Sequence, residues 1–166
     1  MNDIQLSPHF KLSEFTYSAT AIRLGIDNSL DATDPAHAAV IANLRNLCQE
    51  VLEPLRTFAN SPEGKPSSTP SLEIPVMVSS GYRCPALNRA VGGSTNSQHM
   101  TGEACDIHLT DTIRLRSWFH WLRYHTSFDQ LILEHTSADP THFWIHVSCR
   151  HAVGTNRHQV LYLTKE

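Results

Sequence analysis

The sequence has no run of about 18 apolar residues, the length a membrane-crossing helix needs, so none of it is expected to span a bilayer. It also lacks a surplus of basic side chains. Lys and Arg number 13 against 16 Asp and Glu, a formal charge of −3, which argues against nucleic acid or anionic membrane as partners. There is no CxxC pair. Cys48, Cys84, Cys105 and Cys149 lie far apart, a spacing unsuited to a cysteine-held zinc. Reduced, buried thiols are the expectation, with a Cys84–Cys105 bridge left open. The opening stretch MNDIQLSPHFKLSEF has neither a basic n-region nor an apolar h-region and is broken by Pro8, which predicts no secretory signal and hence cytoplasmic synthesis. No internal repeat is visible. Present instead is an ordinary globular composition, 40% hydrophobic over 166 residues, which fits one domain and excludes a disordered chain. Histidine is in excess: there are 11, and nine follow residue 95.

Residues 1–33 read as an N-terminal arm, irregular over 16–33, and 34–166 as the core. Asp34-Pro35 is a helix start, because Asp caps free N–H groups and Pro suits the first helical position. Val40, Leu44, Leu47, Val51, Leu55 and Phe58 then recur at three- and four-residue spacing, predicting a helix over 35–59 that Pro54 should kink or shift at its end. The stretch 61–71 (SPEGKPSSTPS) reads as a mobile loop. Strands are expected at 74–80, 104–109, 130–134, 143–148 and 160–164, with helices at 85–91 and 113–124. Helices early and strands late give an α+β class with a mostly antiparallel sheet and flanking helices.

The segment Ser97–Asp106 reads SQHMTGEACD. Gly102 can take a backbone conformation that other residues resist, so the chain can turn there and enter a strand carrying Asp106. His99 and Asp106 could then converge, and imidazole nitrogen and carboxylate oxygen are both zinc donors. Alone, this pair is weak evidence for a metal, and a polar turn with a capping aspartate is the plainer reading. His146 is the best-placed third ligand: alternation in FWIHVS puts Phe143, Ile145 and Val147 on an apolar face and His142, Trp144, His146 and Ser148 on the other. Leu131 and Leu133 alternate likewise with Gln130, Ile132 and Glu134. If these two strands form a hairpin, directly opposed residues share a face, and Glu134 joins His142 and His146. Three ligands with one open position describe a catalytic zinc, whose bound water becomes acidic enough to attack at neutral pH. Glu134 is the first candidate to take that water's proton, with His142 behind it. Arg83 is the candidate to steady an oxyanion or hold a substrate carboxylate, unless it forms only a salt bridge. Trp144 is either packing or a substrate platform.

Ser79-Ser80-Gly81-Tyr82-Arg83, Leu87-Asn88-Arg89-Ala90-Val91-Gly92-Gly93, Ser97-Gln98-His99-x-x-Gly102-x-Ala104-x-Asp106 and Trp144-Ile145-His146-Val147-Ser148 together resemble the zinc D-Ala-D-Ala carboxypeptidase family. The N-terminal Phe10-x-Leu12-Ser13-Glu14-Phe15 is similar to a signal-peptide-free branch of phage and bacterial genomes. The resemblance implies the hedgehog/DD-peptidase fold, one Zn²⁺ held by His99, Asp106 and His146, and cleavage of peptidoglycan stem peptides. It implies a substrate or oxyanion role for Arg83, and a place beside the metal or in the substrate groove for Ser97 and Gln98. It also implies action on the cell wall after release or lysis. In several members the catalytic acid stands three residues before the last zinc histidine, and in others a polar residue stands two before it; here those positions are Phe143 and Trp144. The base must come from elsewhere, which again favours Glu134. A catalytically silent zinc-containing module that binds cell wall or a partner is the alternative, and a metal-free protein the third.

Overall fold

A computed structural model describes residues 3–65, 72–152 and 154–165. Strands β1 (Gln5–Ser7) and β2 (Phe10–Lys11) form a small antiparallel ribbon. Helices α1 (Leu12–Thr16) and α2 (Ala19–Leu24) follow. The irregular stretch expected over 16–33 is thus corrected by a helix. The Ser18 hydroxyl accepts from the Ala21 N–H at its start, and Gly25, at φ 63°, closes its end in the left-handed region. Leu6, Phe10, Leu12, Phe15 and Leu30 are buried in the same cluster as the rest of the core, so this arm is sewn into the body of the protein.

The long helix forms in three parts. α3 (Pro35–Leu47) starts where the Asp34 carboxylate accepts from the Ala36 N–H. A π-turn at Cys48–Leu52 follows, and α4 (Glu53–Ala59) completes it. Pro54 explains the π-turn. Its ring has no N–H and crowds the carbonyl one turn back, and a widened turn with Glu53 N–H bonded to Cys48 O makes that room without ending the helix. Leu44, Leu47, Val51 and Leu55 are fully buried, as the spacing requires. The stretch 61–71 enters the described region only as far as Lys65, in turns; the remainder of that expected loop lies outside the described residues.

Strand β3 (Met77–Ser80), α5 (Pro85–Ala90), a 3-10 turn (Gln98–Thr101), β4 (Ala104–His108), α6 (Thr112–His125), β5 (Gln130–Thr136), β6 (Phe143–Ser148) and β7 (Gln159–Lys165) complete the chain. The main sheet has the order β3-β4-β6-β5-β7. β3 begins later than expected, since Ile74 and Val76 are buried outside the ladder. One face of the sheet lies on the helices: Cys105, Ile107, Leu131, Leu133, Ile145 and Val147 are buried there with Leu115, Trp118, Phe119 and Leu122 of α6.

The sheet is mixed, which corrects the expected mostly antiparallel one: β7 runs parallel to β5, pairing Gln130 with Gln159 and Thr136 with Lys165. The reason lies in the crossover 149–158. β6 ends where β5 begins, so a short connection stepping over β5 must lay the next strand parallel to it. Asp129 holds that step. Its N–H donates to Ser148 O and its carbonyl accepts from Gln159 N–H, while its fully buried carboxylate accepts from the N–H and the guanidinium of Arg157.

Candidate metal centre and cleft

Three elements aim the site. The 3-10 turn presents His99, with the Ser97 hydroxyl accepting from the His99 N–H at its start. Gly102 ends the turn at φ 75°, and a Cβ there would stand 2.6 Å from the Val40 carbonyl oxygen, so only glycine lets the turn sit against α3 and lead directly into β4. β4 carries Asp106 and β6 carries His146, and the two are register partners across the ladder; Ile132 of β5 is the next partner in the row. Cys105 points to the opposite face, into the core. All four cysteines are free thiols, and the Cys84 sulfur accepts from the Leu87 N–H at the start of α5.

The donor atoms meet closely. Asp106 Oδ1 is 3.0 Å from His146 Nδ1 and 3.3 Å from His99 Nε2, and the two nitrogens are 3.2 Å apart. Donors about 2.0–2.1 Å from a tetrahedral zinc stand roughly 3.3–3.4 Å from one another, so this triangle has the size the ion needs. Its chemistry fits as well. His99 Nδ1 lies 2.7 Å from the Gly81 carbonyl, which can only accept; the proton is therefore on Nδ1, and Nε2 offers its lone pair to the centre. Burial pushes the His99 imidazole below its usual value, against the pull of Asp106, and so favours that neutral form. For Asp106, burial works to raise the carboxyl, but the adjacent His99 and His146 outweigh it and hold the group well below the ordinary carboxylate range. Among the described residues this is the one cluster of three such donors.

Arg83 stands behind the triangle. Its Nη2 donates to Asp106 Oδ2 at 2.6 Å and its Nε to Ser80 Oγ at 2.9 Å, so in this structure it orients a metal ligand rather than facing outward. The triangle opens into a cleft of about 530 Å³, also lined by Arg83, Ser97, Gln98 and Glu134. Glu134 is 4% exposed, and its Oε2 pairs with Lys165 Nζ at 2.6 Å. Its register partner is Trp144, so the hairpin places Glu134 on the His146 face. His142 and Trp144 lie elsewhere: they line a neighbouring groove with Ser79 and His108 that touches the cleft at Asp106 and Lys165. His142 is exposed and stacks on His108, with ring centroids 4.7 Å apart, and is not brought to the donor triangle. Sequence reasoning missed Lys165, which reaches the cleft because β7 lies beside β5, and Arg150 and Arg157, which line it from the crossover between β6 and β7.

An α+β body whose sheet face gathers two imidazoles and a carboxylate at the mouth of a cleft has the three-donor set of an open metal centre. Residues 68–148, a stretch that contains every donor together with Arg83 and Glu134, match the family described as Peptidase M15. No curated protein matches the chain. No helix among the described residues is long and apolar enough to cross a membrane.

Proposed function

We propose that the protein is a zinc metallopeptidase that hydrolyses peptide bonds of bacterial peptidoglycan stem peptides, as a D-Ala-D-Ala carboxypeptidase or as an endopeptidase. The observation that carries this reading is the size of the His99–Asp106–His146 triangle, with the His99 Nε2 lone pair turned into it, set beside a buried carboxylate in one cleft. A zinc ion bound at this triangle would supply Lewis acidity for a peptide carbonyl and for water. His99, Asp106 and His146 would hold it. Glu134, the carboxylate that shares the cleft with the triangle and is paired with Lys165, takes the proton of the attacking water and returns it to the leaving amine. Arg83 keeps Asp106 in its ligating orientation through the 2.6 Å contact. Gln98, whose buried side-chain nitrogen has no hydrogen-bond partner among the described residues, would donate to a substrate carbonyl. Ser97 starts the turn that carries His99, and Trp144 flanks the neighbouring groove. Such an enzyme meets its substrate after release from the cell or during lysis.

Incubating purified muropeptides with the zinc-loaded chain and reading the fragments by mass spectrometry tests this and names the bond. Glu134→Gln should keep zinc and lose about 10²–10⁴-fold in rate. A wild-type protein that binds zinc and leaves every muropeptide intact would instead be a silent cell-wall-binding module.

A further inference from the structure

The cleft is cationic although the chain is not. Arg83, Arg150, Arg157 and Lys165 line it against the carboxylates of Asp106 and Glu134, in a protein of formal charge −3. Two of these cations are committed at the site itself: Arg83 to Asp106 and Ser80, Lys165 to Glu134. The other two are differently placed. Arg150 reaches Asp129 through Nε at 3.1 Å and, among the described residues, its side chain has no other partner, while 38% of it remains exposed. Arg157 meets Asp129 through Nε and Nη2, with 47% of its side chain exposed.

Asp129 is wholly buried behind them, so it fixes both guanidinium groups without facing the cleft. One carboxylate offsets one of two cations and leaves a net positive, immobilised pair on the wall. A guanidinium held by a buried anion and still presenting N–H groups recognises a carboxylate at little further entropic cost. Both residues lie beyond the stretch that matches the peptidase family, on the crossover 149–158.

From this we infer that Arg150 and Arg157 form a carboxylate-binding subsite, so that the preferred substrates are stem peptides bearing a free carboxylate rather than amidated ones. The inference rests on the peptidase reading above for the identity of the peptide, but its test does not depend on turnover.

Binding of a purified muropeptide as the free acid, and of the same muropeptide converted to its carboxamide, is measured by titration calorimetry on the full chain without added metal. Wild type and Arg150→Gln are compared, each with its thermal midpoint recorded. The wild type should bind the acid about 10- to 100-fold more tightly than the amide, the range of one or two charge-assisted hydrogen bonds. Arg150→Gln should weaken the acid by about 10-fold or more, leave the amide unchanged and keep its midpoint. Arg150→Lys should recover part of the acid binding. On the zinc-loaded enzyme the same loss should appear in KM and not in kcat. Equal wild-type affinity for acid and amide, a loss that is the same for both, or binding of neither overturns the subsite. Failure of the peptidase reading shows separately, as absence of cleavage by a wild type that still discriminates acid from amide.

Discussion

Replacing Asp129 by Asn should unfasten β7. The carboxylate accepts from the N–H and Nε of Arg157, each at 3.0 Å, and pairs with Arg150 at 3.1 Å, while itself fully buried. Hydrogen bonds to a charged group are worth about 1.5–3 kcal/mol each when buried, whereas exposed ion pairs give about 0–1 kcal/mol. Here the acceptor is buried but the cations are 38% and 47% exposed, so most of the purely ionic part is screened. Asn keeps the volume and one acceptor oxygen but turns an N–H₂ toward a guanidinium. The net cost is about 2–3 kcal/mol, or roughly 4–12 °C in Tm for a chain of this size. The pH dependence gives a second, independent signature. Burial alone would raise the Asp129 carboxyl, but the Arg157 hydrogen bonds prevail and lower it. A group lowered on folding contributes stability that is complete above its unfolded value of about 3.9 and is lost as the pH falls through the folded value. The gap in Tm between wild type and Asp129→Asn should therefore be widest near neutrality and close progressively below about pH 4. Thermal unfolding followed by circular dichroism from pH 3 to 7 checks both. A drop of under about 1 °C at pH 7, or a gap that does not vary with pH, would refute the clasp.

His99→Ala removes one corner of the donor triangle and should lower bound zinc, read by elemental analysis, from about one ion per chain to near none, with the fold retained by circular dichroism. Gly102→Ala forces a Cβ into the left-handed region at a cost of about 1–2 kcal/mol, and adds a contact 2.6 Å from the Val40 carbonyl. It should lower Tm by several degrees and weaken zinc affinity together, because the same turn carries His99; a loss of stability with zinc affinity intact would separate the two roles.

The donor triangle was legible in the sequence because it depends on local rules. A glycine that turns the chain joins His99 to a strand bearing Asp106, and strict alternation in FWIHVS separates His146 from the apolar Ile145 and Val147. The same parity placed Glu134 on the His146 face, since Leu131 and Leu133 must point into the core. Parity stops at the end of the ladder, however. His142 precedes β6, where backbone alternation no longer constrains it, and it stacks on His108 instead. The π-turn before Pro54 was half visible: a proline marks the disturbance, but whether the helix breaks or widens depends on how much apolar surface continues beyond it, and Leu55 and Ala59 are fully buried. The direction of β7 was hidden for a different reason. An alternating run can pair either way, and the choice rests on Asp129 meeting Arg157 across 28 residues, which no local pattern announces.

That hidden contact ties two parts of the cleft that look separate. With β7 parallel, Leu163 pairs with Glu134 and Lys165 with Thr136, so the ammonium on Glu134 is there only because the crossover delivers the strand in that register. The crossover that sets the register also carries Arg150 and Arg157. A change at Asp129 therefore acts on the surroundings of Glu134 and on the cationic wall at once, 28 residues from one of its partners. If the three donors were the whole of the site, Asp129→Asn at a temperature where it stays folded would hydrolyse muropeptides as the wild type does. If β7 is part of the site, the folded variant keeps its zinc and still loses rate, and the loss should be greater for the free-acid peptide than for its amide.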